Sequence, residues 1–160
     1  MRLVLEVDIL GMTTLAENRK ARFDYEILDT FEAGLVLSGA EVKSIKNGRI
    51  NLTGSYINFH NGELYLIGAF IAPYQPKNQP TDYDPSRSRK LLLRKKEIIS
   101  LIGKIKPKGL TLIPLKAYNK GRRIKLEFAV ARGKKQYDKR EVIAKRETAR
   151  KIERELKTRG

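Results

Sequence analysis

The sequence predicts a mainly β protein: a small antiparallel barrel with two or three flanking helices, followed by a basic tail. Three observations support this class. About six short runs alternate apolar with polar residues, and turns rich in Gly, Asn and Pro separate these runs. Hydrophobic residues make up 41% of the 160-residue chain, which is enough to build one core.

The first predicted elements are two short strands and a helix. Residues 23–29 alternate as a half-buried strand does, and residues 34–37 form a second strand after a break at residues 32–34. The period then changes. Ser38 can cap a helix because Glu41, the partner residue of a capping box, follows three positions later.

Asn-Gly pairs mark two reversals of the chain. The pair at 47–48 supplies left-handed residues that end the predicted helix. The pair at 61–62 lies between the alternating runs 56–60 and 63–67. This pattern predicts a hairpin with a type I′ turn, because that turn needs positive φ at both central residues.

The middle of the chain is predicted to be a loop that leads into a helix. Residues 73–85 carry four prolines and little apolar content, which is typical of a surface loop. Asp84 and Pro85 fit the N-cap and the first position of a helix. Residues at helical spacing follow them: Leu92, Lys96, Ile99 and Ile102.

Two further strands complete the predicted barrel. Residues 110–115 form one strand, and Pro114 within it indicates an edge or a bulge because proline donates no hydrogen bond. Residues 123–130 alternate polar with apolar side chains and form the last strand. The predicted architecture is therefore an OB-like barrel, the commonest nucleic-acid-binding barrel of this kind.

From residue 132 onward the chain is predicted to be a basic tail. It holds 12 Lys and Arg against 5 Asp and Glu, a net charge of +7. Three Glu-to-Lys pairs at i,i+4 favour a helix, but its apolar stripe is too narrow to hold it on a folded body. We expect a segment that is disordered in isolation and helical when bound. The alternative is a permanently solvated charged helix without a partner.

The chain accordingly divides into three parts: a leader (1–17), a body (18–131) and a tail (132–160). The first 11 residues superficially resemble a signal peptide, but Glu6 and Asp8 interrupt the apolar stretch and no small-residue cleavage site follows. Three interpretations stay open: an edge strand, a frayed leader, or a start codon placed too early, with Met12 as the true initiator. We favour the last two.

The charge balance indicates a polyanionic partner. Lys and Arg number 34 against 18 Asp and Glu, which gives a formal charge of +16. Such a charge attracts polyanions and releases their counterions. Nucleic acid is the first candidate and an anionic membrane surface the second. No apolar run approaches the roughly 20 residues that span a bilayer.

The composition argues against most enzyme classes. Cysteine is absent, which excludes disulfides, thiolate zinc sites and cysteine nucleophiles. The single histidine, His60, is predicted to face solvent at a strand end. Asp82 and Asp84 could share a cation, but a helix cap and a solvated side chain account for them. We predict no catalytic residue, metal or cofactor, and the surviving enzyme hypothesis is a carboxylate/lysine site assembled by the fold.

Cations cluster around the predicted central helix. Three of them, Arg87, Arg89 and Lys90, are close together and suit phosphates, and the basic residues 94–96 follow. The alternative interpretation is a solvated helix face. Three tyrosines near basic residues could stack on unpaired bases or simply pack in the fold: Tyr74, Tyr83 and Tyr118.

A series of motifs runs in order from about residue 18 to the C-terminus: Asn18-Arg19-Lys20-Ala21, Glu32-Ala33-Gly34, Glu41-Val42-Lys43-Ser44, Arg87-Ser88-Arg89-Lys90-Leu91-Leu92-Leu93, Pro114-Leu115-Lys116-Ala117-Tyr118 and Gly133-Lys134-Lys135-Gln136-Tyr137-Asp138-Lys139-Arg140. One motif alone would be weak. Their succession closely resembles the small protein B (SmpB) family, the transfer-messenger-RNA (tmRNA)-binding, or SsrA-binding, proteins of bacteria.

This resemblance implies an OB-like barrel that binds the tRNA-like domain of tmRNA. It also implies that the protein, a cytoplasmic monomer when free, helps deliver alanyl-tmRNA, carried by elongation factor Tu, to stalled ribosomes. The tail would pass the decoding centre and become helical in the empty mRNA channel, and the stalled peptide would then be tagged. The alternative is a general OB-fold single-stranded RNA-binding protein or a ribosomal protein.

Motif matching assigns candidate residues to these two RNA partners. The tmRNA set is Asn18, Arg19, Lys20, Glu32, Lys43, Arg87, Arg89, Lys90, Leu92, Lys116 and Tyr118. The set for the decoding centre and mRNA channel is Lys134, Lys135, Tyr137, Asp138, Lys139, Arg140, Lys145 and Arg146. Asn and Glu side chains can hydrogen-bond a splayed base, whereas the cations would neutralise phosphates. Arg94 stands where many relatives have a histidine, so the cation is kept and the ring is not.

Overall fold

The structure is a computed structural model that describes residues 12–75, 77 and 82–158, with backbone alone at residues 136–138. The strands in the described ranges are β1 (Met12–Glu17), β2 (Tyr25–Leu35), β3 (Ile50–Asn51), β4 (Tyr56–His60), β5 (Glu63–Ile67), β6 (Phe70–Ile71), β7 (Arg89–Leu92), β8 (Thr111–Lys120) and β9 (Arg123–Gly133). The helices are α1 (Arg19–Asp24), α2 (Gly39–Lys46), α3 (Lys95–Ile105), a 3₁₀ turn (Lys106–Lys108) and α4 (Gln136–Thr158).

The main sheet is antiparallel and closes on itself. Its strand order is β1-β8-β4-β5-β7-β2-β9, and β8 also pairs with β9, which joins the two ends of the six-stranded ring. Strand β1 adds to this ring along β8, from Met12 opposite Lys120 to Glu17 opposite Lys116. The predicted mainly β barrel with flanking helices is therefore confirmed.

The strand pairings differ greatly in length. Strand β9 pairs along almost the whole of β2 and β8. By contrast, the register between β2 and β7 runs from Gly34 opposite Leu92 to Leu35 opposite Leu91. The pairing of β4 with β8 is confined, within the described residues, to Ile57 opposite Leu112. In the described ranges, the pairings of β9 with β2 and β8 are thus long, whereas those of β2 with β7, β5 with β7 and β4 with β8 span one or two residue pairs each.

Inward-facing side chains fill the barrel. Alternate residues of β5 and β9 are fully buried, including Leu64, Leu66, Leu126 and Phe128, and α3 covers this core with Ile98 and Leu101. The predicted alternation of the last strand is confirmed by this burial. A β-bulge between Pro114 and Lys116 confirms the bulge that was expected at this proline.

The predicted helix start and hairpin are also confirmed. Ser38 and Glu41 form a reciprocal capping box at the start of α2. In the β4–β5 hairpin, Asn61 and Gly62 have φ of 48° and 79°, as a type I′ turn requires, and His60 lies opposite Glu63. Both features are local in sequence, so patterns within a few residues specify them.

The predicted break at residues 32–34 is wrong, because β2 runs without interruption from Tyr25 to Leu35. Ala33, Gly34 and Leu35 are buried, and their backbone is paired with β9 or β7. A short helix, α1, precedes this strand and was not predicted. Strand β2 continues because tertiary pairing overrides weak local preferences, whereas α1 begins at a local cap from Asn18.

The predicted helix start at Asp84 and Pro85 is also wrong. Asp84 accepts a hydrogen bond from the Ser86 N–H at 2.9 Å, which closes a turn, and the chain continues into strand β7. Burial alternates along β7, since Arg89 and Leu91 point inward while the residues after each are more exposed. The following helix, α3, begins at Lys95, and no side chain caps it.

The predicted division of the chain at residues 18 and 132 stays a prediction, and strands of the barrel extend slightly beyond it at both ends. Residues 12–17 form strand β1 of the barrel, and β9 extends to Gly133. The interpretations of residues 1–11 lie outside the described residues. The tail is the helix α4, whereas its order in the free and bound protein stays a prediction. No helix in the described part of the chain is long and apolar enough to cross a membrane.

Candidate nucleic-acid interface

A groove of about 460 Å³ lies on the barrel where β2 meets β7. Three of the residues predicted to contact RNA line it together: Glu32, Lys90 and Leu92. Further lining comes from Ala33, Gly34, Glu63, Leu91, Leu93, Arg94, Glu97 and Lys125. The groove therefore combines three carboxylates, three cations and several apolar side chains, among them the exposed Leu92.

Strand register explains how these residues meet. Gly34 lies directly opposite Leu92, and Glu32 is two residues away on the same face of β2. A Cβ atom at Gly34 would lie 3.3 Å from Leu92 Cδ1, so the glycine leaves the room that the leucine occupies. Leu92 nevertheless stays 55% exposed, which is unusual for a leucine at the centre of a sheet. It offers an apolar contact to a ligand in the groove.

Glu32 is held by two partners from β8. The hydroxyl of Tyr118 donates a hydrogen bond to its Oε2, and the Lys120 ammonium lies 3.4 Å from its Oε1. The hydrogen bond from Tyr118 is the main reason that the pKa of Glu32 lies below its ordinary value. Glu32 is therefore an ionised, oriented acceptor whose side chain stays 37% exposed.

The ring of Tyr118, the residue that holds Glu32, is not exposed for stacking on a base. Tyr118 is buried, and burial together with the hydrogen bond to Glu32 raises the pKa of its hydroxyl above the ordinary value. The Lys116 ammonium lies 5.5 Å from the centroid of its ring and 3.3 Å from a Glu127 carboxylate oxygen. Tyr118 was predicted to contact RNA directly; the structure buries its ring, and the contact stays a prediction.

A second cleft, of about 310 Å³, adjoins the groove. The two cavities share Glu32, Leu93 and Glu97. The remaining lining of the cleft is Phe31, Lys96, Ser100 and Leu101. Helix α3 thus forms one wall and β2 the other, with Glu32 at the junction of both cavities.

Arg89 was predicted to neutralise RNA phosphates, whereas the structure places its guanidinium inside the fold. Its side chain is 0% exposed, and its guanidinium donates to Glu41 Oε2 from Nε at 2.9 Å and from Nη2 at 2.6 Å. It also donates to the carbonyls of Ala69 and Pro85. A guanidinium with every bond directed into the fold has no path to a phosphate.

The carboxylate beneath it forms the centre of a buried polar cluster. Burial alone would raise the pKa of Glu41, but hydrogen bonds from Arg87, the Ser38 N–H and Arg89 outweigh burial and hold it below the ordinary value. Tyr83 lies against the same carboxylate, and burial raises the pKa of its hydroxyl. Arg87 is only partly exposed and is occupied by Glu41, so it too serves this cluster.

Asn18 has a structural role in the fold. It is buried and caps α1, where its Oδ1 accepts from the Ala21 N–H at 3.2 Å. Its Nδ2 donates to the carbonyls of Leu52 and Pro114. Both polar atoms of this amide are engaged within the fold, and direct base recognition by Asn18 stays a prediction.

The other predicted cations lie on the surface. Arg19 and Lys20 begin α1, and Lys20 lines a separate groove of about 410 Å³. Lys43 is exposed on α2, with its ammonium 5.5 Å from the centroid of the Tyr74 ring. Lys90 pairs with Glu63 at 3.5 Å. The structure does not place Arg19, Lys20 or Lys43 among the residues that line the Glu32 groove.

The start of the tail rests on α1. The Lys134 N–H donates to the Asp24 carbonyl at 2.9 Å, and the Lys139 ammonium pairs with the Asp24 carboxylate at 3.3 Å. Further along α4, the Arg146 guanidinium lies 5.6 Å from the centroid of the Phe23 ring. The predicted residues Lys135, Arg140 and Lys145 are exposed, while the side chains of Tyr137 and Asp138 lie outside the described residues.

Sequence reasoning missed several residues that line the groove or the cleft, Phe31, Leu93, Glu97 and Lys125, and it also missed Lys120, which pairs with Glu32. The alternation of β9 places Lys125 on the outer face, which was a usable signal. The others depend on the register between distant strands and on the docking of α3. In the described ranges, no group of three His, Cys, Asp or Glu side chains is arranged to hold a metal ion.

Comparison with known proteins agrees with this architecture. Residues 15–158 match the family model described as SmpB protein. The SsrA-binding protein of Chloroflexus aurantiacus is 56% identical over 143 residues, which cover 89% of each chain. The SsrA-binding protein of Carboxydothermus hydrogenoformans is 53% identical over 145 residues, 91% of this chain and 97% of the relative.

A solved structure is similar as well. A protein chain in "tmRNA-SmpB: a journey to the center of the bacterial ribosome" superposes with a TM-score of 0.62 and 52% sequence identity, covering 76% of this chain and 85% of that one. The residues that the family model matches run from β1 into the tail helix. The chain therefore belongs to the SmpB protein family.

Proposed function

We propose that this protein is a tmRNA-binding adaptor of trans-translation that acts by placing RNA. The observation that carries the proposal is the Glu32 groove, in a chain whose relatives are named for binding SsrA RNA. An ionised acceptor, an exposed leucine and flanking cations suit an RNA segment with splayed bases, because phosphates and base edges need different partners.

The body would bind the tRNA-like domain of tmRNA through this groove. Arg94 and Lys125 line the groove, and Lys116 and Lys120 lie nearby on β8. These cations would neutralise phosphates, while Glu32 and Leu92 contact bases. Arg19, Lys20 and Lys43 are exposed and would extend the contact along the RNA backbone.

The tail would bind the ribosome where the mRNA channel is empty. Helix α4 is exposed along most of its length and carries cations on several faces. Its proposed site is the decoding centre and the empty mRNA channel, with Lys134, Lys135, Tyr137, Asp138, Lys139, Arg140, Lys145 and Arg146 as contacts. In this proposal α4 is ordered along its length only when the channel holds it.

The finer partners belong to the same proposal. The protein would act in the cytoplasm as a monomer that joins alanyl-tmRNA and elongation factor Tu before reaching a stalled ribosome. The competing function is a general single-stranded RNA-binding or ribosomal protein, which the same positive charge would serve. The two differ in selectivity for one folded RNA.

Selective capture of RNA separates these functions. The purified full chain is incubated with total bacterial RNA at physiological salt, and the bound RNA is sequenced. Strong enrichment of tmRNA over tRNA and mRNA supports the adaptor. Recovery of RNA in proportion to its abundance would overturn it in favour of the general binder. A Glu32→Gln variant, which keeps the shape of the side chain, should lose most of the enrichment.

A further inference from the structure

The cleft beside the groove has the size and lining of a site for one flat, partly apolar group. Phe31, Leu93 and Leu101 supply its apolar surface, and its volume of about 310 Å³ exceeds that of a nucleobase. It opens beside the groove that carries Arg94 and Lys125. Because the two cavities share lining residues, a base that turns out of an RNA strand in the groove could enter the cleft while its sugar stays in the groove.

The polar group at the mouth of the cleft determines which base fits. Two carboxylates, Glu32 and Glu97, line both cavities, and Glu32 is the one that Tyr118 and Lys120 hold in place; as an ionised carboxylate it can only accept hydrogen bonds. Each oxygen has two lone pairs. Tyr118 and Lys120 each engage one oxygen, and the exposed remainder of the carboxylate can accept two more donors.

Only one common RNA base presents two adjacent donors on its Watson–Crick edge. Guanine carries N1–H and the 2-amino group side by side, whereas adenine, cytosine and uracil each place an acceptor next to a donor. A fixed carboxylate pairs with two donors and leaves an acceptor unpaired, so it discriminates strongly.

We propose that the cleft is a subsite for a single unpaired guanine, which Glu32 recognises through N1–H and the 2-amino group. Tyr118 and Lys120 are positioning residues that hold the carboxylate at the mouth of the cleft. Lys96, on the α3 wall, lies where it can meet the phosphate of the extruded nucleotide. This inference deepens the proposed function and rests on it, since it assigns the base that the groove selects.

Competition among defined oligonucleotides tests the subsite. The probes are three uridine octamers whose fourth residue is guanosine, inosine or adenosine, and each displaces a labelled tRNA-like domain of tmRNA from the full chain. Inosine keeps N1–H and lacks the 2-amino group. We expect the guanosine octamer to compete about ten-fold better than the other two, as one added bidentate contact implies.

Variants separate positioning from general folding. Glu32→Gln should bind the three octamers equally, because its amide replaces one acceptor by a donor. Tyr118→Phe keeps the buried ring and should reduce the guanosine preference to about two- or three-fold. Tyr83→Phe is the matched control, since it removes a hydroxyl from a different carboxylate, Glu41, and should leave the preference unchanged.

The outcomes also distinguish this inference from the proposed function. Equal competition by all three octamers, or failure of all three to compete, would overturn the guanine subsite. In that case the labelled tRNA-like domain still reports whether the adaptor function stands. Loss of preference in Tyr83→Phe as well would show that the effect is not specific to Glu32, and would also overturn the assignment.

Discussion

Arg89 on β7 and Glu41 on α2 form an ion pair in which both side chains are almost completely buried, at 0% and 1% exposure. Two hydrogen bonds fix the pair, because Nε and Nη2 of the arginine both donate to Glu41 Oε2. It ties the long loop before β7 to the helix after β2. The buried Arg89–Glu41 cluster therefore stabilises the fold, whereas the exposed cations are the ones available to bind RNA.

The first prediction concerns this pair. Glu41→Gln leaves the arginine charge buried without a counter-ion, so it should lower the free energy of unfolding by about 3 to 5 kcal/mol. Urea unfolding followed by circular dichroism measures the change. Glu17→Gln is the control, because Glu17 pairs with the exposed Arg19 at 3.6 Å and should lose little. A small effect at Glu41 would contradict the structural role.

The second prediction is the pH dependence of stability. The pKa of Glu41 is lowered in the folded protein, so the unfolded chain binds its proton first as pH falls. Its contribution is fully present above the ordinary carboxyl pKa and is lost as pH falls through the folded pKa. Urea unfolding of the wild type between pH 7 and pH 3 should show this loss. In Glu41→Gln the acid-dependent part should shrink, and an unchanged profile would contradict it.

The third prediction concerns Leu92. Because this side chain is 55% exposed, Leu92→Ala should change stability little. It should weaken binding of the tRNA-like domain by about ten-fold or more, the value of burying one leucine against RNA. Ile99→Ala is the matched control, since Ile99 is 61% exposed on α3 and lines neither cavity. Equal affinity losses in both variants would contradict the groove assignment.

The fourth prediction separates body from tail. Removal of residues 136–160 keeps β9 complete and should leave affinity for the tRNA-like domain within about two- to three-fold, because the groove is intact. It should abolish peptide tagging on ribosomes stalled in a reconstituted translation system. A comparable loss of RNA affinity would show instead that the tail is part of the tmRNA site.

The fifth prediction concerns the order of α4 in the free protein. Contacts of Lys139 with Asp24 and of Arg146 with Phe23 hold the first half of the helix. Amide exchange should therefore be slower over residues 139–146 than over residues 147–158, which should exchange nearly as fast as an unfolded peptide. Mass spectrometry of the free protein measures this. Uniform protection along α4 would contradict an order that depends on binding.

Local patterns predicted much of the fold. The capping box at Ser38 and the Asn61-Gly62 hairpin are set by residues within three or four positions, and the structure confirms both. The closed barrel also followed from the alternation of its longer strands. The helix start at Asp84 failed, because the burial of Arg89 and Leu91 in a strand depends on Glu41 and on β2, which are distant in the chain.

The candidate site was predictable in part for the same reason. Glu32, Lys90 and Leu92 were assigned from motifs, and the register of β2 with β7 brings them together. Motifs alone could not distinguish an arginine that faces RNA from one that neutralises a buried glutamate. They also could not show that the side-chain amide of Asn18 hydrogen-bonds three backbone groups. Such roles become visible only when distant segments are packed.

The short backbone pairing between β2 and β7 has a consequence for the stiffness of the groove. Within the described residues, these strands pair over Gly34 and Leu35 alone, whereas β9 joins β2 along its length. The barrel is therefore joined by only a short stretch of backbone pairing where Gly34 meets Leu92. An RNA strand bound in the groove would contact residues of both β2 and β7 and so link the two strands. Bound RNA should thus stiffen the protein at a place where its own backbone pairing is short.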